Sequence, residues 1–248
     1  MQSTVIGIDP SWTLTNPTGI CVMQRYGGLW HVMESFVDVI NTNSIRTQIK
    51  MWQTDNTTVA VDAPLWIPNQ IGIRNCDRQI IKDYHKFKIG VYPCNKTIAN
   101  KRNWKTTSIR KVLSQEGYSE AANHGLAYFE TYPHPALVNI LDLKERPLYK
   151  KGDLTSRYSA LSSIGKLLLN RVTNGNPKVR PDKLLLQLLQ PEFDTLSLKT
   201  FKSAEDQFDA FVCAYCAAYW SDLGISQSTI VGDMSAGLMI FPQPISHH

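Results

Sequence analysis

Long apolar runs are missing from this chain. Its longest uncharged apolar stretch, residues 210–220, is about half of the ~20 residues a helical membrane span needs. No basic segment followed by an apolar core opens the sequence, so no secretion signal and a cytoplasmic location are expected. Cysteine is scarce: there are five, at 21, 76, 94, 213 and 216. An odd count without an export signal points to free thiols in a reducing compartment. Cys213 and Cys216 form C-x-x-C, but inside a helical pattern with no second close pair. They read as small buried apolar residues rather than as a zinc or redox site. Glycine-rich phosphate loops are absent too: neither G-x-x-x-x-G-K-[ST] nor G-x-G-x-x-G occurs. There is no internal repeat and no low-complexity tract.

What is present is an ordinary folded composition, 43% hydrophobic and 19% charged, over 248 residues. That length suits one α/β domain with insertions. Charge is unevenly placed. Residues 78–118 hold ten Lys/Arg against Asp83 and Glu116, a net +8, which leaves −3 for the rest of a chain whose total is +5. Tyr84, Phe87, Tyr92, Trp104 and Tyr118 interleave with these cations. Basic residues mixed with aromatics suit phosphate contact plus base stacking, and Lys101, Arg102 and Trp104 are the candidates for it. A nucleic-acid partner follows as the expectation. The closing His247–His248 pair resembles an affinity-tag remnant.

Apolar periodicity places strands at residues 4–9, 19–23 and 29–39, a helix at 45–53, and a fourth strand ending at Asp62. Residues 69–125 read as helix and loop, and 126–130 as a fifth strand. Pro133 and Pro135 then read as chain breakers. Helices are expected at 158–172 and 183–190, a last helix beginning at Ser203, and a short hairpin at 232–241. The expected fold class is α/β: a mixed five-stranded sheet flanked by helices, one domain over 1–248, with helical insertions at about 63–125 and 132–202.

Four acids stand out: Asp9, Asp62, Glu130 and Asp209. Three close apolar strand patterns, and the fourth lies in a helix that is apolar nearly all round. A carboxylate at the end of a buried strand is costly to desolvate without a positive partner, and no Lys or Arg lies in those strands. A divalent cation is the simplest partner, and several acids converging on it make an oxygen-ligand site. Asp206 precedes Asp209 by one turn, where Ser203 to Asp206 also reads as a capping box. His134, four residues after Glu130, reads either as a substrate contact or general acid or base, or as a structural His hydrogen-bonded in the proline-rich turn.

At these residues the sequence resembles a known family. Val5-Ile6-Gly7-Ile8-Asp9-Pro10-Ser11, with Thr18-Gly19-Ile20-Cys21-Val22, is similar to the opening hairpin of the RuvC-type branch of the RNase H-like superfamily. Asp206-Gln207-Phe208-Asp209-Ala210 resembles that branch's closing helix. More closely, four segments resemble domain-of-unknown-function family 429, described as predicted nucleases of RNase H fold. They are Val61-Asp62-Ala63-Pro64-Leu65, Gly72-Ile73-Arg74-Asn75-Cys76-Asp77, Glu130-Thr131-Tyr132-Pro133-His134-Pro135 and Asp209-Ala210-Phe211-Val212-Cys213-Ala214.

The resemblance implies an RNase H-like core with Asp9, Asp62 and Asp209 as ligands of Mg²⁺ or Mn²⁺, and with Glu130 and Asp206 adding to the cluster. It also singles out Arg74, Asp77, Lys150, Lys151 and Arg157 as holders of substrate phosphate. The chemistry expected is two-metal hydrolysis of a nucleic-acid phosphodiester, the ions ~3.5–4 Å apart, with Asp9 between them and Asp62 and Asp209 on either side. Two rivals stand beside it. One is a non-catalytic nucleic-acid or protein-binding module on the same fold. The other is an actin-like nucleotide phosphohydrolase or phosphotransferase, against which the missing phosphate loops count.

Overall fold

The computed structural model describes residues 2–245; His247 and His248 lie outside them. Strands β1 (Ser3–Asp9), β2 (Thr18–Tyr26) and β3 (Leu29–Asp38) form an antiparallel meander. Helix α1 (Thr42–Trp52) follows, opened by Asn41, whose side chain accepts from the amides of Asn43 and Ser44. It carries the chain over to β4 (Asn56–Val61), parallel to β1. After helices α2 (Asn75–Tyr84), α3 (Lys96–Lys101) and α4 (Thr106–Gln115) and the short β5 (Ser119–Glu120), β6 (Leu126–Glu130) lies parallel to β4. The order β3-β2-β1-β4-β6 is the RNase H-like arrangement the resemblance implied.

The sheet is larger than the five strands expected. It has eight, because β5 pairs with β6 and a hairpin of β7 (Ser228–Asp233) and β8 (Gly237–Pro242) extends it. A two-stranded hairpin is marginal alone. Here β8 docks on the edge of β6 at Glu130–Met239, which also covers that edge.

Alternation along the strands sends side chains to two cores. Ile6, Ile8, Val22, Val59 and Val61 face α1 and α4, where they meet Ile45, Ile49, Ile109 and Leu113. Val5, Cys21, Ala60 and Phe129 face the long helix α8 (Leu198–Leu223), with α5 (Pro133–Leu141), α6 (Leu154–Asn174) and α7 (Lys183–Leu189) outside it. Two glycines set how closely α8 lies on the sheet. A Cβ on Gly7 would stand 2.0 Å from the carbonyl oxygen of Ala210, and one on Gly19 would stand 2.2 Å from that of Asp206. With any other residue at either position, α8 would have to move.

Three local expectations change. Helix α8 starts at Leu198, not at Ser203, because Ser197 and Thr200 cap it reciprocally. Asp206 therefore sits in the third turn and caps nothing. Pro133 and Pro135 do not break the chain: they fill the first turn of α5, where a missing N–H costs nothing. The five cysteines are free and buried, as the apolar reading of Cys213 and Cys216 requires. Among the described residues, no helix is long and apolar enough to cross a membrane.

Candidate active site

Register decides which acids meet. Ile8 pairs with Val61 across β1 and β4, so Asp9 and Asp62, each one residue further on, leave neighbouring parallel strands at the same edge and on the same face. That face is the one α8 covers. Asp209 points down from α8 and is fully buried. Tyr149 Oη donates to Asp209 Oδ1 at 2.6 Å. The other oxygen, Oδ2, lies 2.5 Å from Lys150 Nζ in an ion pair, yet accepts no hydrogen bond of good geometry. Asp206, one turn earlier, is held by Lys202 Nζ at 2.7 Å.

The electrostatics follow from crowding. Burial raises the Asp9 carboxyl well above the usual range, Lys150 opposes this, and Asp209, Asp62 and Asp206 push it further up. Asp62 is pushed up to about 7, again by burial first, with repulsion from Asp209 and Glu130 added and Lys150 and Lys202 opposing. Asp206 is raised by burial against the pull of Lys202. Lys150 is thus the main counter-charge for Asp9, Asp62 and Asp209. Asp9 and Lys150 stand between two clefts. One, of about 280 Å³, is lined also by Asp62, Glu130, His134, Trp12 and Tyr92. The other is lined by Ser11, Asn16, Lys202 and Asp206.

Does this set fit a divalent cation? The donors are carboxylate oxygens, the kind that Mg²⁺ and Mn²⁺ prefer. Asp209 Oδ2 is buried, and its ion pair with Lys150 lacks good hydrogen-bond geometry, so its acceptor capacity is not fully used. As the side chains stand, no three His, Cys, Asp or Glu among the described residues are close enough to enclose an ion. The ammonium of Lys150 lies against Asp209 instead. The donor chemistry therefore fits, with Asp9, Asp62 and Asp209 as the residues that would hold the ion.

The model of the family described as "Protein of unknown function (DUF429)" matches residues 7–233. The chain belongs to the DUF429 family. No curated protein matches it. Among solved structures it is similar to T. thermophilus RuvC in complex with Holliday junction substrate, at 11% identity, over 90% of this chain and 97% of that one, with a TM-score of 0.41. At that identity and score, the fold assignment rests on the strand order itself.

Several site expectations for this DUF429 chain need correction. Glu130 pairs in register with Val61, so it leaves the sheet on the face opposite Asp62. There Arg74 grips it with two bonds, Nη2 to Oε1 at 2.6 Å and Nη1 to Oε2 at 2.8 Å, and the Leu65 amide donates to Oε2 at 3.0 Å. Glu130 is therefore a neutralised acid beside the cluster, not an open ligand. Arg74 is equally committed. It also bonds both oxygens of Asp77, at 3.0 and 2.7 Å, and the carbonyl of Trp66 at 3.1 Å. Both are buried, so neither Arg74 nor Asp77 is available to a substrate phosphate.

Arg157 is spent on buried Glu205, at 2.7 Å. Burial first, then the positive charge of Lys150 and Arg146, lowers His134 to about 3. It is therefore neutral at physiological pH and unfit as a cationic contact. It lines the larger cleft, stacked on Tyr149 with ring centroids 5.5 Å apart. Lys150 is at the cleft but ion-paired. Lys151, Lys101 and Arg102 are exposed, and Trp104 is half-buried against Trp12. Sequence reasoning missed Tyr149 as the partner of Asp209, Glu205 as the sink for Arg157 and Lys202, and Trp12 at the cleft. Only Trp12 carried a signal, lying three residues after Asp9 in the same loop.

Proposed function

We propose that this protein is a divalent-metal-dependent hydrolase of nucleic-acid phosphodiesters, using Mg²⁺ or Mn²⁺. The observation that carries the reading is that Asp9, Asp62 and Asp209 crowd one edge of the sheet closely enough to act on one another's ionisation. They come from two parallel strand ends and a facing helix, on one face, with Lys150 as their chief compensation. Buried like charges are held together against their own repulsion where a site needs the charge. A structural core would be more stable without them.

The residues divide the work. Asp9, Asp62 and Asp209 would hold the cation, and Asp206 borders the second cleft beside them. Tyr149, by donating to Oδ1, fixes the rotamer of Asp209 and leaves Oδ2 facing the other acids' counter-charge. Arg74 clamps Glu130 and Asp77 and, through the Trp66 carbonyl, the chain just after Asp62. When bound, a divalent cation supplies Lewis acidity toward a phosphoryl oxygen and toward water. With Asp209 so occupied, the Lys150 ammonium would be free to meet a substrate phosphate, the role the resemblance implies for it.

The test is cleavage of labelled DNA and RNA in Mg²⁺ or Mn²⁺ by the parent protein and by Asp9→Asn. The substitution is close to isosteric and removes one negative charge. A loss of about 100-fold or more, equivalent to roughly 2.7 kcal/mol, is expected. Undiminished cleavage by Asp9→Asn overturns the assignment, and so does cleavage that persists in a chelator.

A further inference from the structure

The basic segment and the acid cluster meet at one place. Trp12, in the loop after β1, packs edge-on against Trp104 at 4.5 Å and Tyr92 at 6.2 Å, and Tyr92 lies 5.8 Å from Trp104. Trp12 and Tyr92 also line the cleft that contains Asp9 and Asp62. Arg102 stands over the Tyr92 ring at 5.3 Å. Lys101, Arg102 and Lys105 are exposed, and among the described residues none of them has a carboxylate partner. The Lys105 amide donates to the Trp12 carbonyl at 2.6 Å, which fixes this segment to the β1–β2 loop. Were the rings only a clasp for that segment, burial would complete them. Instead Tyr92 is 45% exposed.

We propose that this face binds single-stranded nucleic acid, with an unpaired base seated on the Trp12–Tyr92–Trp104 cluster and the flanking phosphates on Lys101, Arg102 and Lys105. The inference deepens the nuclease reading and rests on it for the chemistry at the acids. Unstacked bases offer their π-faces to aromatic side chains and tolerate any sequence, whereas a duplex keeps those faces covered. Exposed, unpaired cations follow the backbone. A cleft of about 280 Å³ shared by rings and acids is sized for a nucleotide, not for a double helix. A base held on the rings sets the adjoining phosphodiester at the mouth of the acid cluster.

The experiment measures binding apart from cleavage. The Asp9→Asn/Asp62→Asn double variant, without metal, is titrated against fluorescein-labelled oligothymidylate and oligouridylate, the same strands with abasic sites, and a duplex of equal length. Single strands of at least one sugar type should bind about tenfold or more tighter than the abasic strand and the duplex. Adding Tyr92→Ala, at an exposed position, should weaken single-strand binding by roughly 5- to 150-fold and leave duplex binding unchanged. Equal affinity for duplex or abasic strand, or no effect of Tyr92→Ala, overturns the inference. Cleavage by the parent protein is scored separately. Strand preference without cleavage sinks the nuclease reading alone, and cleavage without strand preference sinks this one alone.

Discussion

Arg74 offers the most quantitative test of how the cleft is held together. Its five donor bonds run to Glu130, Asp77 and the Trp66 carbonyl, and the side chains of Arg74 and of both its ionic partners are at most 4% exposed. Replacing it by Met keeps much of the volume but leaves two buried carboxylates against one another. Breaking a buried charge pair from one side costs roughly 3–5 kcal/mol, a fifth or more of the ~5–15 kcal/mol that stabilises a typical protein. Arg74→Lys keeps the charge but has three rotatable donors in place of a planar fork. It loses two charge-assisted bonds, for a cost of about 3 kcal/mol.

In urea, with an m-value of roughly 2–3 kcal/mol/M, Arg74→Met should lower the midpoint by about 1–2.5 M. The loss should shrink on acidification. Burial already raises Glu130 despite Arg74, and without the guanidinium its folded pKa rises further above the unfolded value. A carboxyl raised in the folded state binds more protons folded than unfolded. Its stabilising neutral form is present at low pH and lost as pH climbs through the folded pKa. Arg74→Met should therefore regain stability between pH 7 and pH 5 relative to the parent protein. A loss below ~1 kcal/mol with no such pH dependence would refute the clamp.

Asp62→Asn should be more stable than the parent protein at neutral pH. Asp62 is raised to about 7 in the fold, so the stability of its neutral form is lost as pH rises from 3.8 toward 7, a window that Asn does not feel. Urea melts of both proteins at pH 4 and pH 7 should show the gap opening only at the higher pH. Gly7→Ala should cost ~1–3 kcal/mol and also reduce cleavage, since its Cβ meets the backbone of Ala210 and Ala214 and displaces the helix that carries Asp209. Thermal melts and the cleavage assay check both effects; an unchanged melting temperature would show that α8 does not sit as closely as described. Tyr149→Phe should cost ~1.5–3 kcal/mol through the lost bond to the Asp209 carboxylate, and retained stability would place that hydroxyl elsewhere.

The sheet was legible because its strands are short apolar runs with turn residues between them. Asp9 and Asp62 stood out because each closes such a run. The face on which Glu130 emerges was not legible: it depends on pairing Glu130 with Val61 rather than with Asp62, a one-residue choice no local pattern encodes. The partners of the acids were hidden for a related reason. Arg74 lies 56 positions from Glu130, and Lys150 lies 59 from Asp209, in irregular segments with no periodicity to say what they face. The start of α8 was misjudged because two overlapping cap signatures compete, and the earlier one, Ser197 with Thr200, lets Phe201 join the core. The β7–β8 hairpin was visible locally, but its docking onto β6 is a tertiary event.

The claim beneath all of this is that Asp9, Asp62 and Asp209 together hold a divalent cation. Electron paramagnetic resonance of Mn²⁺ titrated into the protein tests it without any substrate. The account predicts saturable binding by the parent protein that is lost in Asp9→Asn and in Asp209→Asn, both still folded by circular dichroism. Binding of Mn²⁺ that is equally tight in all three proteins, or absent from all three, would contradict it.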